Sequence, residues 1–167
     1  MFPERRLRRL RKRTMQPLFQ ETVLSTDDLV APLFVDEAAL TPTEIVSMPG
    51  QYRYPLPMIA EVARGVASAG IRAVIIFGIP ARKDAGGTEA YNPVGVIQEA
   101  VRAIKAAVPD LVVITDVCAC EYTDHGHCGI VGDTTCGPDL LNDPSLEVMA
   151  QIAVSHAEAG ADIVAPS

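Results

Sequence analysis

Four short apolar runs, separated by three stretches of helical period, constrain this chain more than any other feature. The runs cover residues 29–35, 71–78, 111–118 and 161–167. Each has strand length and is rich in Val, Ile and Leu, although Pro32 in the first run lacks the donor a central strand needs. Between the runs, three sets recur at helical spacing: Ile59, Val62, Val66 and Ala69; Ile97, Val101, Ile104 and Val108; and Leu146, Met149 and Ala153. Gly70, Pro109 and Gly160 supply stops, and Asn92-Pro93 and Asp143-Pro144 supply starts. Residues 36–54, 79–91 and 119–142 read as loops. The resulting order is β-α-β-α-β-α-β, the alternation of a parallel sheet covered by helices. The lack of Trp and scarcity of aromatics agree with buried strands of that kind.

An open doubly wound sheet and a barrel both satisfy this order. Nothing like a GxGxxG turn follows the first strand, which counts against a dinucleotide fold. A (β/α)8 barrel needs about 250 residues, and this chain has 167. The expectation is therefore an α/β chain forming the first half of a (β/α)8 TIM barrel. It has four strands and three helices over residues 21–167, truncated after the fourth strand, behind a basic arm over residues 1–20.

Charge sets the arm apart. Arg5, Arg6, Arg8, Arg9, Arg11, Lys12 and Arg13 are half of the 14 basic residues, whereas the chain from Thr14 onward has seven basic and 20 acidic residues, a net of −13. A basic arm on an acidic body is expected to dock on acidic protein surface, and so to join copies of the chain. A nucleic-acid tail would interleave aromatics for stacking, and this arm does not. A transit peptide would be Ser-rich, and a solvated terminus is the plain alternative. No apolar run approaches the roughly 18 residues of a membrane span, and the N-terminus is too charged for a secretory signal. A cytoplasmic protein without nucleic-acid or membrane partners is expected.

Cys118, Cys120 and Cys128 fall on a loop with Gly126, Gly129, His125, His127 and Asp124, just past the third strand. Parallel α/β proteins place active sites at such strand ends. Reduced thiols clustered in a cytosolic chain point to metal rather than to a disulfide. Three thiolates leave tetrahedral zinc an open position for water or substrate. A fourth ligand from His125, His127 or Cys136 would instead close the site into a structural one.

The stretch Asp116-Val117-Cys118-Ala119-Cys120-Glu121-Tyr122-Thr123-Asp124-His125-Gly126-His127-Cys128-Gly129 closely resembles the metal loop of the zinc-dependent delta-aminolevulinic acid dehydratases (porphobilinogen synthases). Arg8-Arg9-Leu10-Arg11, Ser47-Met48-Pro49-Gly50, Gly70-Ile71-Arg72, Phe77-Gly78-Ile79 and residues 159–167 resemble other segments of that family in the same order. Residues 131–141 depart from its pattern, and Cys136 there has no assigned role. The resemblance implies condensation of two 5-aminolevulinate molecules to porphobilinogen, with loss of two waters, in tetrapyrrole (haem) biosynthesis. It implies zinc held by Cys118, Cys120 and Cys128, Asp116 as a catalytic residue and Ser167 as a substrate-binding one. His127 matches a residue that binds a second, non-catalytic zinc in some members. The family's arms embrace a neighbouring barrel in a homo-octamer.

The family holds its substrates as imines on lysines at strand ends. Lys12 lies in the arm, Lys83 in a loop, and Lys105 off the apolar stripe of its helix, where it reads as solvated. His156 reads as a surface histidine. The chain alone is thus expected to be inactive. Half of another zinc barrel, such as a metal-dependent aldolase, leaves the arm and the 47–50 loop unexplained. A non-catalytic zinc-binding remnant or assembly subunit is the alternative from another class.

Overall fold

The computed structural model describes residues 12–167. Arg5, Arg6, Arg8, Arg9 and Arg11 of the basic arm lie outside the described residues. The strands are β1 (Val30–Asp36), β2 (Thr43–Glu44), β3 (Tyr52–Pro55), β4 (Ala73–Ile79), β5 (Val112–Val117), β6 (Val131–Thr134), β7 (Gly137–Leu140) and β8 (Ile163–Pro166). The helices are α1 (Ile59–Ser68), α2 (Val96–Ala107) and α3 (Asn142–Glu158). The six-stranded sheet has the order β2-β3-β1-β4-β5-β8, and β6 and β7 form a separate hairpin. All neighbours in the large sheet are parallel except β2 and β3.

Alternation along the strands explains the layering. Leu33 and Val35 of β1 lie level with Ile76 and Gly78 of β4, and Val74 and Ile76 lie level with Val113 and Thr115 of β5. These rows are buried and join Ile59 and Ala63 of α1, Ile97, Val101 and Ile104 of α2, and Ile152 of α3 in one core. The other face carries Phe34 stacked on Phe77, ring centroids 5.2 Å apart. Across it run Ile75, Ile114 and Ile163 in one row and Asp116 beside Ala165 in the next. This second face is only half-buried. Gly70 and Gly160 end α1 and α3 with φ of 84° and 105°, a left-handed stop that a side chain would strain.

The structure corrects several expectations. The 36–54 segment contains β2 and most of β3: Tyr52 and Tyr54 alternate with exposed Arg53, Arg53 and Tyr54 pair with β1, and Tyr52 pairs with β2. β3 covers β1 only from Phe34 onward. Pro32 therefore sits where one edge of β1 is open and a missing N–H is tolerated. The 119–142 segment contains the β6–β7 hairpin. Asn92 does not cap α2. Its side chain accepts from the Val94 N–H at 3.1 Å in a turn, and the helix begins after Gly95.

The phase of α3 also differs from the expected stripe. Its inward residues are Val148, Ile152 and His156, four apart, with Met149 and Ala153 packed beside them, while Leu146 is 60% exposed. His156 is thus a buried residue, not a surface one. Lys105 is not freely solvated either. Its Nζ donates to the carbonyls of Pro109 and Leu111 and to the Asp162 carboxylate, at 2.8, 3.1 and 2.9 Å.

Candidate metal centre

β5 delivers Asp116 to the half-buried sheet face and then releases the chain into a tight turn. The N–H groups of Tyr122 and Thr123 both donate to the Ala119 carbonyl, at 2.9 Å each. Cys118, Ala119, Tyr122 and Thr123 are buried, so the turn is packed into the protein rather than draped over it. The Thr123 hydroxyl donates to the His127 carbonyl at 2.8 Å, which folds the segment back and returns Cys128 to its start.

The outcome is a group of three thiols, Cys118, Cys120 and Cys128, whose Sγ atoms all lie within 4.8 Å of one another. Cys118 and Cys120 are 3.3 Å apart. Tetrahedral zinc with Zn–S bonds of about 2.3 Å sets its sulfurs about 3.8 Å apart, so the group needs only small adjustment to hold that ion. Electrostatics agree. Burial pushes the Cys120 thiol up, and Cys118 and Glu121 push it the same way. Hydrogen bonding to Cys118 raises the Cys128 thiol. Such thiols stay protonated unless a cation among them favours the thiolates. The donor set therefore fits a thiophilic divalent metal.

Asp116 stands beside this group. It forms a second cluster with Cys118 and Glu121, again within 4.8 Å. Burial raises the Asp116 carboxyl above its ordinary range, the approach of the Ser167 hydroxyl opposes this, and the Glu121 charge adds to it. Ser167 follows β8, its N–H donating to the Val117 carbonyl at 3.2 Å. Asp116, Ser167 and the three cysteines thus gather at one end of β5 and β8.

His125, His127 and Cys136 do not join either cluster. His125 faces the Ala85 carbonyl at 3.3 Å, and Cys136 is exposed on the β6–β7 turn. Sequence reasoning overlooked Glu121, whose carboxylate accepts from the Cys120 thiol at 3.2 Å. It also overlooked Tyr122. A lone aromatic within a Gly-, His- and Asp-rich loop was the available signal, since such a ring must find a place to bury.

The lysines lie elsewhere. Lys83 is exposed in the loop after β4. Lys105 is bound near the start of β5 and β8, the opposite end of the sheet from the thiols. Among the described residues, no helix is long and apolar enough to cross a membrane.

Comparison with known proteins agrees with this geometry. The chain is 48% identical to a delta-aminolevulinic acid dehydratase of Methanothermus sociabilis over 99% of its own length and 51% of that protein's. It is 49% identical to one from Archaeoglobus fulgidus over 99% of its length and 50% of the relative's. It thus spans about half the length of these curated relatives. A crystal structure of the Toxoplasma gondii ME49 enzyme, delta-aminolevulinic acid dehydratase (porphobilinogen synthase) in complex with the reaction product porphobilinogen, superposes with a TM-score of 0.89 at 33% identity. The match covers 100% of this chain and 47% of that one, so the parallel sheet and its helices correspond to half of a (β/α)8 barrel. The sequence model of delta-aminolevulinic acid dehydratase matches residues 4–167, and the chain belongs to that family.

Proposed function

We propose that this chain supplies the metal half of an active site that condenses two 5-aminolevulinate molecules into porphobilinogen with loss of two waters. The supporting observation is the convergence of Cys118, Cys120 and Cys128 beside Asp116 at the end of β5, in a chain of this family. The metal is zinc, which when bound supplies Lewis-acid polarisation of a substrate ketone or water. Cys118, Cys120 and Cys128 hold it. Asp116 orients the substrate ammonium or relays a proton. Ser167 hydrogen-bonds the substrate. His127 stays outside this set. The chain works in the cytoplasm as a homo-oligomer joined through its basic arm.

The imine half of the site needs a lysine at a strand end, and Lys83 and Lys105 are not placed for it. Residues 1–167 alone therefore make no porphobilinogen. A chimaera in which this chain replaces the matching half of the Archaeoglobus fulgidus relative tests the proposal. It is expected to form porphobilinogen from 5-aminolevulinate with zinc, and its Cys120→Ala version is expected to lose that activity. A folded, zinc-loaded chimaera without product would leave the alternative, a zinc-binding half-barrel without catalysis. Borohydride reduction of the isolated chain with substrate should leave no adduct, and an adduct on Lys83 or Lys105 with turnover would overturn the argument from lysine placement.

A further inference from the structure

The metal loop rests on a second loop that carries no thiol. After β4, the Asp84 carboxylate accepts from the N–H groups of Gly86 and Thr88 at 2.9 and 3.0 Å, and from the Thr88 hydroxyl. These bonds fix the local backbone in a turn. The same backbone then pairs with the metal loop in a parallel bridge between Asp84 and Thr123. The Asp84 N–H donates to the Tyr122 carbonyl at 3.2 Å, and the Asp124 N–H donates to the Asp84 carbonyl at 3.1 Å.

The Tyr122 side chain fills a seat on the other side. It is only 4% exposed. A Cβ at Gly78 would come within 2.6 Å of both the Tyr122 Oη and the Ile97 Cγ1. Real Cβ atoms do not approach so closely, so β4 has room for this ring only because position 78 carries no side chain. Thr123, 1% exposed, then sends its hydroxyl to the His127 carbonyl and turns Cys128 back toward Cys118 and Cys120.

We propose that Tyr122 and Thr123 are positioning residues for the metal, seated by Gly78 and the Asp84 turn so that the three thiols converge before the ion arrives. Neither residue offers a ligand to the ion. The inference rests on the metal-binding reading above. Preset ligands bind more tightly because less ordering remains to be done on binding.

Cobalt(II) titration of the full chain tests it, read by the thiolate-to-metal charge-transfer band. Thr123→Val keeps the shape and removes the hydroxyl. It should weaken cobalt binding about 10-fold or more, in the range seen when groups supporting metal ligands are lost, and by more than the fall in metal-free stability from the lost hydrogen bond accounts for. Tyr122→Ala and Gly78→Ala should also weaken binding, and Tyr122→Phe should stay within about twofold of the wild type. The proposal is overturned if Thr123→Val and Tyr122→Ala bind cobalt with wild-type affinity and spectrum, or if affinity falls only in step with the metal-free melting temperature. A wild-type chain that binds no cobalt through thiolate would refute the metal-binding reading itself, a different outcome from tight binding that these substitutions leave unchanged.

Discussion

His156 lies in α3 with no exposed surface, and among the described residues neither ring nitrogen has a partner in hydrogen-bond geometry. Burial pulls its pKa from 6.5 down to about 4, against a smaller upward pull from the Ala90 carbonyl. The folded state therefore takes the proton less readily than the unfolded chain. This contribution to stability is complete above pH 6.5 and is lost as pH falls toward 4, to a limit of about 3 kcal/mol. His156→Leu should remove that pH dependence. The measurement is the difference in unfolding free energy between wild type and variant across pH 4–7. Asp84 and Asp162, both held low, and Asp116, held high, titrate in both proteins and cancel in the difference. A difference that stays flat with pH would show that His156 keeps an ordinary pKa. The residue was misread in the sequence because a histidine at the end of a helical stripe carries no mark of burial. Leu146 misled in the opposite sense, being apolar and exposed.

Among the elements, β8 adds one carboxylate to its backbone pairing with β5. Asp162, just before that strand, accepts from the Val113 N–H at 2.8 Å and from Lys105 Nζ at 2.9 Å. It thereby ties β8 and α2 to the start of β5. Asp162→Ala should cost about 1–2 kcal/mol, mostly through the Val113 N–H left without a partner, because the ion pair is partly exposed and screened. A urea midpoint unchanged by the substitution would show that β8 is held by backbone pairing alone. The main strands and helices were legible because Val, Ile and Leu recur at strand and helix periods. β3 was hidden because its alternation is only four residues long and lies among Pro49, Gly50 and Pro55. The thiol cluster was legible from spacing alone. The Tyr122 seat was not, because it needs Gly78 and Asp84, which only the parallel pairing of β4 with β5 brings close.

At the scale of the whole molecule, the β2 and β8 ends of the sheet lack neighbours among the described residues, and one sheet face is only half-buried. The order of elements conveyed half a barrel, and the solved relative supports that reading across the full length of this chain. Oligomerisation through the arm is a separate proposal. Its motive is the seven basic residues at positions 5–13 against a body of net −13. Deleting residues 1–13 should lower the assembly mass in light scattering, and an unchanged mass would contradict a joining role for the arm. The central claim, a catalytic-type zinc site of three thiolates, is tested most directly by zinc X-ray absorption on the purified chain. The account predicts about one zinc per chain, with three sulfurs at about 2.3 Å and one lighter ligand, and loss of that zinc in Cys120→Ala. A zinc shell without sulfur, or unchanged zinc content in Cys120→Ala, would contradict it.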